Sequence, residues 1–155
     1  SEVHGMAQRG GAVLAHLRLA DAEIASDLIP LGRASLVLGM EPLESLRYLP
    51  YLAPGGTVIA ATTPVTNIPD YPPISDVLAQ IRAVPNARLV DADALARHAG
   101  SVRATNLVMV GAASLVLPLH PEALERCIAS RFASKGQEVV DLNLRAFRAG
   151  REAVR

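Results

Sequence analysis

The sequence predicts an α/β domain of three layers, α/β/α, built on a mainly parallel sheet and Rossmann-like in architecture. Three observations carry that expectation. Apolar runs of strand length at residues 34–40, 57–62 and 87–90 alternate with helix-length amphipathic stretches, joined by short turns, which is the order of βαβ units. Two of those runs are apolar without alternation, as strands covered on both faces require. Aromatic residues make up only 3% and Trp is missing, so the core has to be filled by Leu, Val, Ile and Ala.

Residues 12–19 alternate, with Val13, Ala15, Leu17 and Leu19 on one face and His16 and Arg18 on the other, the period of a half-buried strand. Residues 21–30 read as a turn and a short return segment. After the strand at 34–40, Glu41 and Pro42 suit a first helical turn, where a carboxylate and a missing N–H are both tolerated. Leu43 and Leu46, with Leu49 and Tyr51 beyond them, supply that helix with an apolar stripe. Ala53-Pro54-Gly55-Gly56 carries every local mark of a turn before the strand at 57–62.

The Pro-rich residues 64–73 cannot be regular, because Pro lacks a donor and restricts the residue before it. Long irregular loops of this kind often sit at functional edges. Ser75 or Asp76 is placed to cap a helix reaching about residue 84, with Val77, Leu78 and Ile81 inward. A strand at 87–90 and a helix at 92–99 stopped by Gly100 follow. The run 104–117 is apolar on nearly all sides and reads as a buried helix, Pro121 opens a helix to Phe132, and a last helix starts at Gln137 and reaches Gly150 or beyond.

Composition excludes several classes. Lys and Arg number 15, as do Asp and Glu, so the formal net charge is zero and no cationic footprint for nucleic acid exists. The longest apolar stretch, 107–117, falls short of the ~20 residues of a membrane span. A single cysteine, Cys127, excludes an internal disulfide and any iron–sulfur cluster held by several thiolates of this chain alone. A cytoplasmic location is the expectation that remains. The four histidines lack the close spacing of a helical metal pair, and neither a phosphate loop, a dinucleotide fingerprint nor a nucleophile elbow occurs. A Gly-Asp-Gly motif with its following Asn, the usual thiamine-diphosphate magnesium site, is also missing. The residues offer no redox chemistry of their own.

The opening Ser1-Glu2-Val3-His4-Gly5-Met6-Ala7-Gln8-Arg9-Gly10-Gly11 is the most informative stretch. Its glycines permit sharp turns and close approach, and Arg9 offers a permanently charged fork suited to carboxylate or phosphate. His4 and Gln8 add neutral hydrogen-bonding groups. On chemistry alone the stretch is either an anion-facing edge or a structural turn whose Arg makes an ordinary surface contact. Elsewhere Cys127 shares helical spacing with Leu124, Ile128 and Arg131 and is expected in the core. His16 is expected to be structural, His98 and His120 solvated at helix ends, and Asn106 to satisfy a backbone group or face a ligand. Asn143, Arg145 and Phe147 are candidates for a subunit interface, where Arg and Phe are frequent anchors.

The opening stretch resembles the Ser-Glu-x-His-Gly-Met-x-Gln-Arg-Gly-Gly segment of the gamma-domain family of 2-oxoacid:ferredoxin oxidoreductases, most closely its indolepyruvate beta-subunit branch. Residues 13–18 with His16, Leu28-Ile29-Pro30, Glu41-Pro42-Leu43-Glu44, Arg47-Tyr48-Leu49, Pro54-Gly55-Gly56-Thr57-Val58 and Asn143-Leu144-Arg145-Ala146-Phe147 extend the likeness collinearly along the chain. The resemblance implies one gamma-type domain over 1–155, without the opening strand, Gly-rich loop and helix found in family members, and hence an exposed sheet edge.

The resemblance further implies a subunit of an enzyme that decarboxylates an aryl 2-oxoacid oxidatively to an acyl-coenzyme A and passes the electrons to ferredoxin. Thiamine diphosphate, Mg and iron–sulfur clusters would belong to a catalytic alpha-type partner, with coenzyme A as cosubstrate and self-association a further expectation. His4, Gly5, Gln8, Arg9, Gly10 and Gly11 would then face substrate or coenzyme A. No residue of this chain is expected to be catalytic. Phenylglyoxylate or another aryl oxoacid would suit the same class. A standalone ligand-binding or regulatory α/β domain is the competing reading.

Overall fold

A computed structural model describes residues 2–4, by their backbone, together with 13–66 and 68–155. Its centre is a parallel sheet of three strands, β3 (Ala34–Gly39), β4 (Leu52–Ala61) and β5 (Ala87–Val90), in that order. A separate antiparallel pair, β1 (Glu2–His4) and β2 (Val13–Ala15), precedes it, with His4 opposite Val13. The helices are α1 (Pro42–Arg47), α2 (Ile74–Arg82), α3 (Ala92–Ala99), α4 (Thr105–Ala113), α5 (Pro121–Phe132) and α6 (Gln137–Glu152).

The middle strand explains the layers. Side chains alternate along a strand, so Val58 and Ala60 face one side and Ile59 and Ala61 the other, and all four are buried. On the first side Val58 and Ala60 join Ala34, Val37, Val77 and Ile81, beneath α1 and α2. On the second, Ile59 and Ala61 meet Val90, Val108, Met109, Ala112, Ala146 and Phe147, beneath α3, α4 and α6. That is the three-layer α/β arrangement that the apolar runs anticipate.

Several elements end where their residues dictate. Asp91 caps α3 by accepting from the Ala94 N–H at 3.0 Å, and Gly100 stops it at φ +122°. Pro121 starts α5 at the position where its missing N–H has no intrahelical partner to lose. Helix α4 is buried nearly all round, as its sequence demands, but it ends at Ala113, short of the predicted 117, with Leu115 and Val116 exposed beyond it; it crosses α6 closely. A Cβ on Gly111 would lie 1.9 Å from the Phe147 carbonyl oxygen, and one on Gly150 would lie 1.8 Å from that of Val108. Only hydrogen at both positions lets the two backbones touch.

Other expectations change. Ala53-Pro54-Gly55-Gly56 is not a turn ahead of β4 but an irregularity within it: pairing runs from Ala34↔Leu52 straight to Leu36↔Thr57. Gly55, at φ +77°, absorbs the extra residues, and its carbonyl accepts from Asn86 Nδ2 at 3.0 Å. Helix α2 starts at Ile74 without a side-chain cap, since Pro73 holds the cap position and the Ser75 hydroxyl donates to Asp76. Strand β2 is shorter than the alternation suggests and its sense is inverted: Val13, Leu17 and Leu19 are exposed, while Leu14 and His16 turn inward.

Replacing Gly111 or Gly150 with Ala should lower stability by about 2–4 kcal/mol, the range of severe single-site overpacking. Denaturant unfolding and a fall in Tm of roughly 5–12 °C would register it; a Tm within a degree of wild type would refute the close α4–α6 contact.

Candidate functional site

In open parallel sheets, ligands and partners meet the loops that leave the carboxyl ends of the strands. Here β3 leads through Met40 and Glu41 into α1, β4 leads through Thr62 into the Pro-rich loop, and β5 leads through Asp91 into α3. Glu41 organises this edge. Its Oε2 accepts from the Glu44 N–H at 2.8 Å, capping α1, and its backbone carbonyl accepts from the Ser45 hydroxyl at 2.7 Å. Its Oε1 reaches across to the Pro-rich loop and accepts from the Val65 N–H at 3.3 Å and from the Tyr71 hydroxyl. One carboxylate therefore fastens the loop to the helix and the strand end.

Close packing keeps the clasp in place. Ser45 is buried, and a Cβ on Gly39 would fall 1.8 Å from its Oγ, so the strand end must be glycine for α1 to seat. Burial, and then the hydrogen bond and charge of Glu41, push the Tyr71 phenol from 10.0 up to about 12. The clasp holds a neutral phenol against a carboxylate whose two oxygens are already engaged. That geometry serves to position a loop. One oxygen of the neighbouring Glu44 is buried without a hydrogen-bond partner among the described residues, while the other pairs with exposed Arg47 at 3.2 Å. Sequence reasoning placed Glu41 in a first helical turn and the Pro-rich loop at an edge, but not their connection, because Tyr71 lies thirty residues from its partner.

Of the residues singled out in the opening stretch, His4 has its backbone in β1; Gly5, Gln8, Arg9, Gly10 and Gly11 lie outside the described residues. Of Asn143, Arg145 and Phe147, the candidates for a subunit interface, Asn143 and Phe147 are buried within the fold and Arg145 is exposed. Phe147 is fully buried beside α4. Asn143 is buried and donates to the Val139 carbonyl one turn back at 2.8 Å. Arg145 closes the end of α3, its Nε and terminal nitrogen donating to the Ala99 carbonyl at 3.2 and 3.1 Å. The reason is that α6 turns Asn143 and Phe147 toward α3 and α4, while its exposed face carries Arg148, which pairs with Glu125 at 2.6 Å.

Cys127 is exposed, not in the core. Helix α5 buries a narrow stripe of Leu124, Ile128 and Phe132 at four-residue intervals, and Cys127 falls outside it, between Arg126 and Arg131. His16 has a structural place: its Nδ1 accepts from the Ile29 N–H at 3.0 Å and its ring meets Tyr51 edge-on at 5.6 Å. His98, Asn106 and His120 are exposed. Among the described residues no group of three or more His, Cys, Asp or Glu is arranged to hold a metal, and no helix is long and apolar enough to cross a membrane. A cluster needing several thiolates does not fit a chain with one cysteine.

A Tyr71→Phe variant tests the clasp. Spectrophotometric titration of the wild type should show one of the three tyrosines ionising near pH 12, and that component should vanish in the variant. Because the folded-state value is raised, the stability gained from the neutral phenol is whole below pH 10 and is lost as pH rises from 10 through 12. An unchanged titration curve in Tyr71→Phe would contradict the assignment.

Comparison with known proteins bears on the whole chain. The family model for pyruvate ferredoxin/flavodoxin oxidoreductase matches residues 1–153. The indolepyruvate oxidoreductase subunit IorB of Methanothermobacter thermautotrophicus is 38% identical over 157 residues, 97% of this chain and 79% of that protein. The same subunit of Archaeoglobus fulgidus is 37% identical over 159 residues, 97% of this chain and 77% of that one. Among solved structures, the 2-oxoglutarate:ferredoxin oxidoreductase of Magnetococcus marinus, with 2-oxoglutarate, coenzyme A and succinyl-CoA bound, shares the fold. It superposes with a TM-score of 0.59 at 21% identity, over 82% of this chain and 21% of that one. With a family match running from its first residue almost to its last, this chain belongs to the pyruvate ferredoxin/flavodoxin oxidoreductase family.

Proposed function

We propose that this chain is the accessory subunit of a 2-oxoacid:ferredoxin oxidoreductase of the indolepyruvate type. The complex would decarboxylate an aryl 2-oxoacid, join the acyl group to coenzyme A and deliver two electrons to ferredoxin. The observation that carries this reading is identity of 34–38% along essentially the whole chain to three indolepyruvate oxidoreductase subunits. The chemistry of the chain supports the accessory part of it. One exposed thiol cannot by itself hold an iron–sulfur cluster that needs several thiolates, and the Gly-Asp-Gly motif of a thiamine-diphosphate magnesium site does not occur in this sequence. In this reading those groups sit in a catalytic alpha-type companion, which supplies the electron path while this chain shapes and covers the reaction centre.

Within that role, His4, Gly5, Gln8, Arg9, Gly10 and Gly11 are the residues we assign to the edge facing coenzyme A or the oxoacid. A guanidinium can hold a phosphate or a carboxylate through two parallel hydrogen bonds, and the flanking glycines leave their backbone N–H groups open to close approach. Arg9→Ala, assayed in the complex reconstituted with the companion subunit, should raise the apparent KM for coenzyme A or for the oxoacid about tenfold or more, since a charge-assisted pair contributes about 1.5–3 kcal/mol. Unchanged kinetics for both substrates would reject this assignment.

A further inference from the structure

We infer that residues 13–31 form the arm by which this chain grips its companion subunit, through an apolar strip edged with acid that fits an apolar, base-rimmed surface. This rests on the subunit reading above and goes beyond it by naming the surface and the chemistry of its partner. Six of the fourteen exposed large hydrophobic side chains among the described residues fall in this one segment: Val13, Leu17, Leu19, Ile24, Leu28 and Leu31, each 37–65% exposed. The alternation that marks residues 13–19 as a strand with one apolar face is present, yet the apolar face is the one left outward. The segment is folded on itself by the Ile29 N–H donating to His16 and the Arg18 guanidinium donating to the Ser26 carbonyl, and the His16 ring meets Tyr51 in the body of the domain.

Area and charge decide between occupants. The six half-exposed side chains offer on the order of 300 Å² of apolar surface at the area per aliphatic side chain that transfer energies imply. Four exposed alanines, Ala15, Ala20, Ala22 and Ala25, extend it. A specific interface takes about 800 Å² per partner with a little over half of it non-polar, so this segment supplies the larger part of an interface core. Within the same residues stand Asp21, Glu23 and Asp27, all exposed, against Arg18 alone, a balance of one positive and three negative charges, or −2, over residues 13–31. None of the three acids has an ion-pair partner among the described residues. In a two-fold dimer the same strip would face its own copy, setting acid rim against acid rim. A different chain with a basic rim satisfies both the apolar strip and the charge.

The test uses the full chain and the co-expressed alpha-type companion. Hydrogen exchange of the wild-type chain, free and in the complex, should show protection concentrated in residues 13–31. Leu17→Asp with Leu28→Asp should weaken the complex by at least tenfold while the free chain keeps its circular dichroism and Tm, since both side chains are exposed. Reversing the rim, Asp21→Lys with Glu23→Lys and Asp27→Lys, should slow association about tenfold at low salt and flatten its salt dependence. Complex formation by the Leu17/Leu28 variant within twofold of wild type, or protection confined to other segments, would overturn the inference alone. Homodimers of the free chain that the same variant abolishes would overturn it in favour of self-association. If the wild-type chain does not bind the companion at all, the subunit reading fails and this inference with it. Should the variants not fold, the wild-type exchange pattern decides.

Discussion

Everything in this structure hangs on one strand buried from both sides. Val58, Ile59, Ala60 and Ala61 in β4 are all nearly inaccessible, and alternation deals them in turn to the α1–α2 layer and to the α3–α4–α6 layer. A strand so placed admits no polar residue along four consecutive positions. It also has to pair on both edges, with β3 and with β5, so that its backbone groups are satisfied. With so few aromatic residues available, the core reaches density by close approach more than by bulk. Ala92, Ala96, Ala99, Ala112 and Ala146 fill it, and Gly111 and Gly150 let α4 and α6 meet backbone to backbone.

That scaffold places its chemistry at its margins. At the carboxyl edge, Glu41 binds the helix that follows β3 to the loop that follows β4, fixing both relative to the sheet. At the other margin an apolar arm runs from β2 toward β3, held by the His16 ring and open on its outer face. Among the described residues no group of three or more His, Cys, Asp or Glu is arranged to hold a metal at either place. The relatives named above are subunits, and in the function proposed here both features are surfaces of a part that completes something larger.

How much of this was legible in the sequence follows from which forces acted locally. Strand β5, helix α3 and helix α5 begin and end where Asp91, Gly100 and Pro121 say they should, because caps and Pro act within a turn of their own position. The Gly55-Gly56 segment also behaves as its glycines require, but pairing with β3 resumes across it and turns a chain reversal into a bulge. Arg145 and Phe147 look like interface anchors by type. Only the orientation of α6 against α3 and α4, a tertiary fact, sends one to a helix end and the other into the core. Cys127 shows the same limit from the other side: its spacing with Leu124 and Ile128 is helical, yet α5 buries a stripe too narrow to include it. The clasp between Glu41 and Tyr71 and the outward apolar face of the arm depend on contacts, made or unmade, that no local pattern encodes.

The central claim is division of labour: this chain completes a reaction centre whose cofactors it does not carry. Its most direct measurement is oxoacid-dependent reduction of ferredoxin in the presence of coenzyme A, with the chain alone, the companion alone and the two combined. The account predicts turnover only for the combination, at one chain per companion. Thiamine diphosphate-dependent turnover by this chain alone, or full activity of the companion without it, would contradict it.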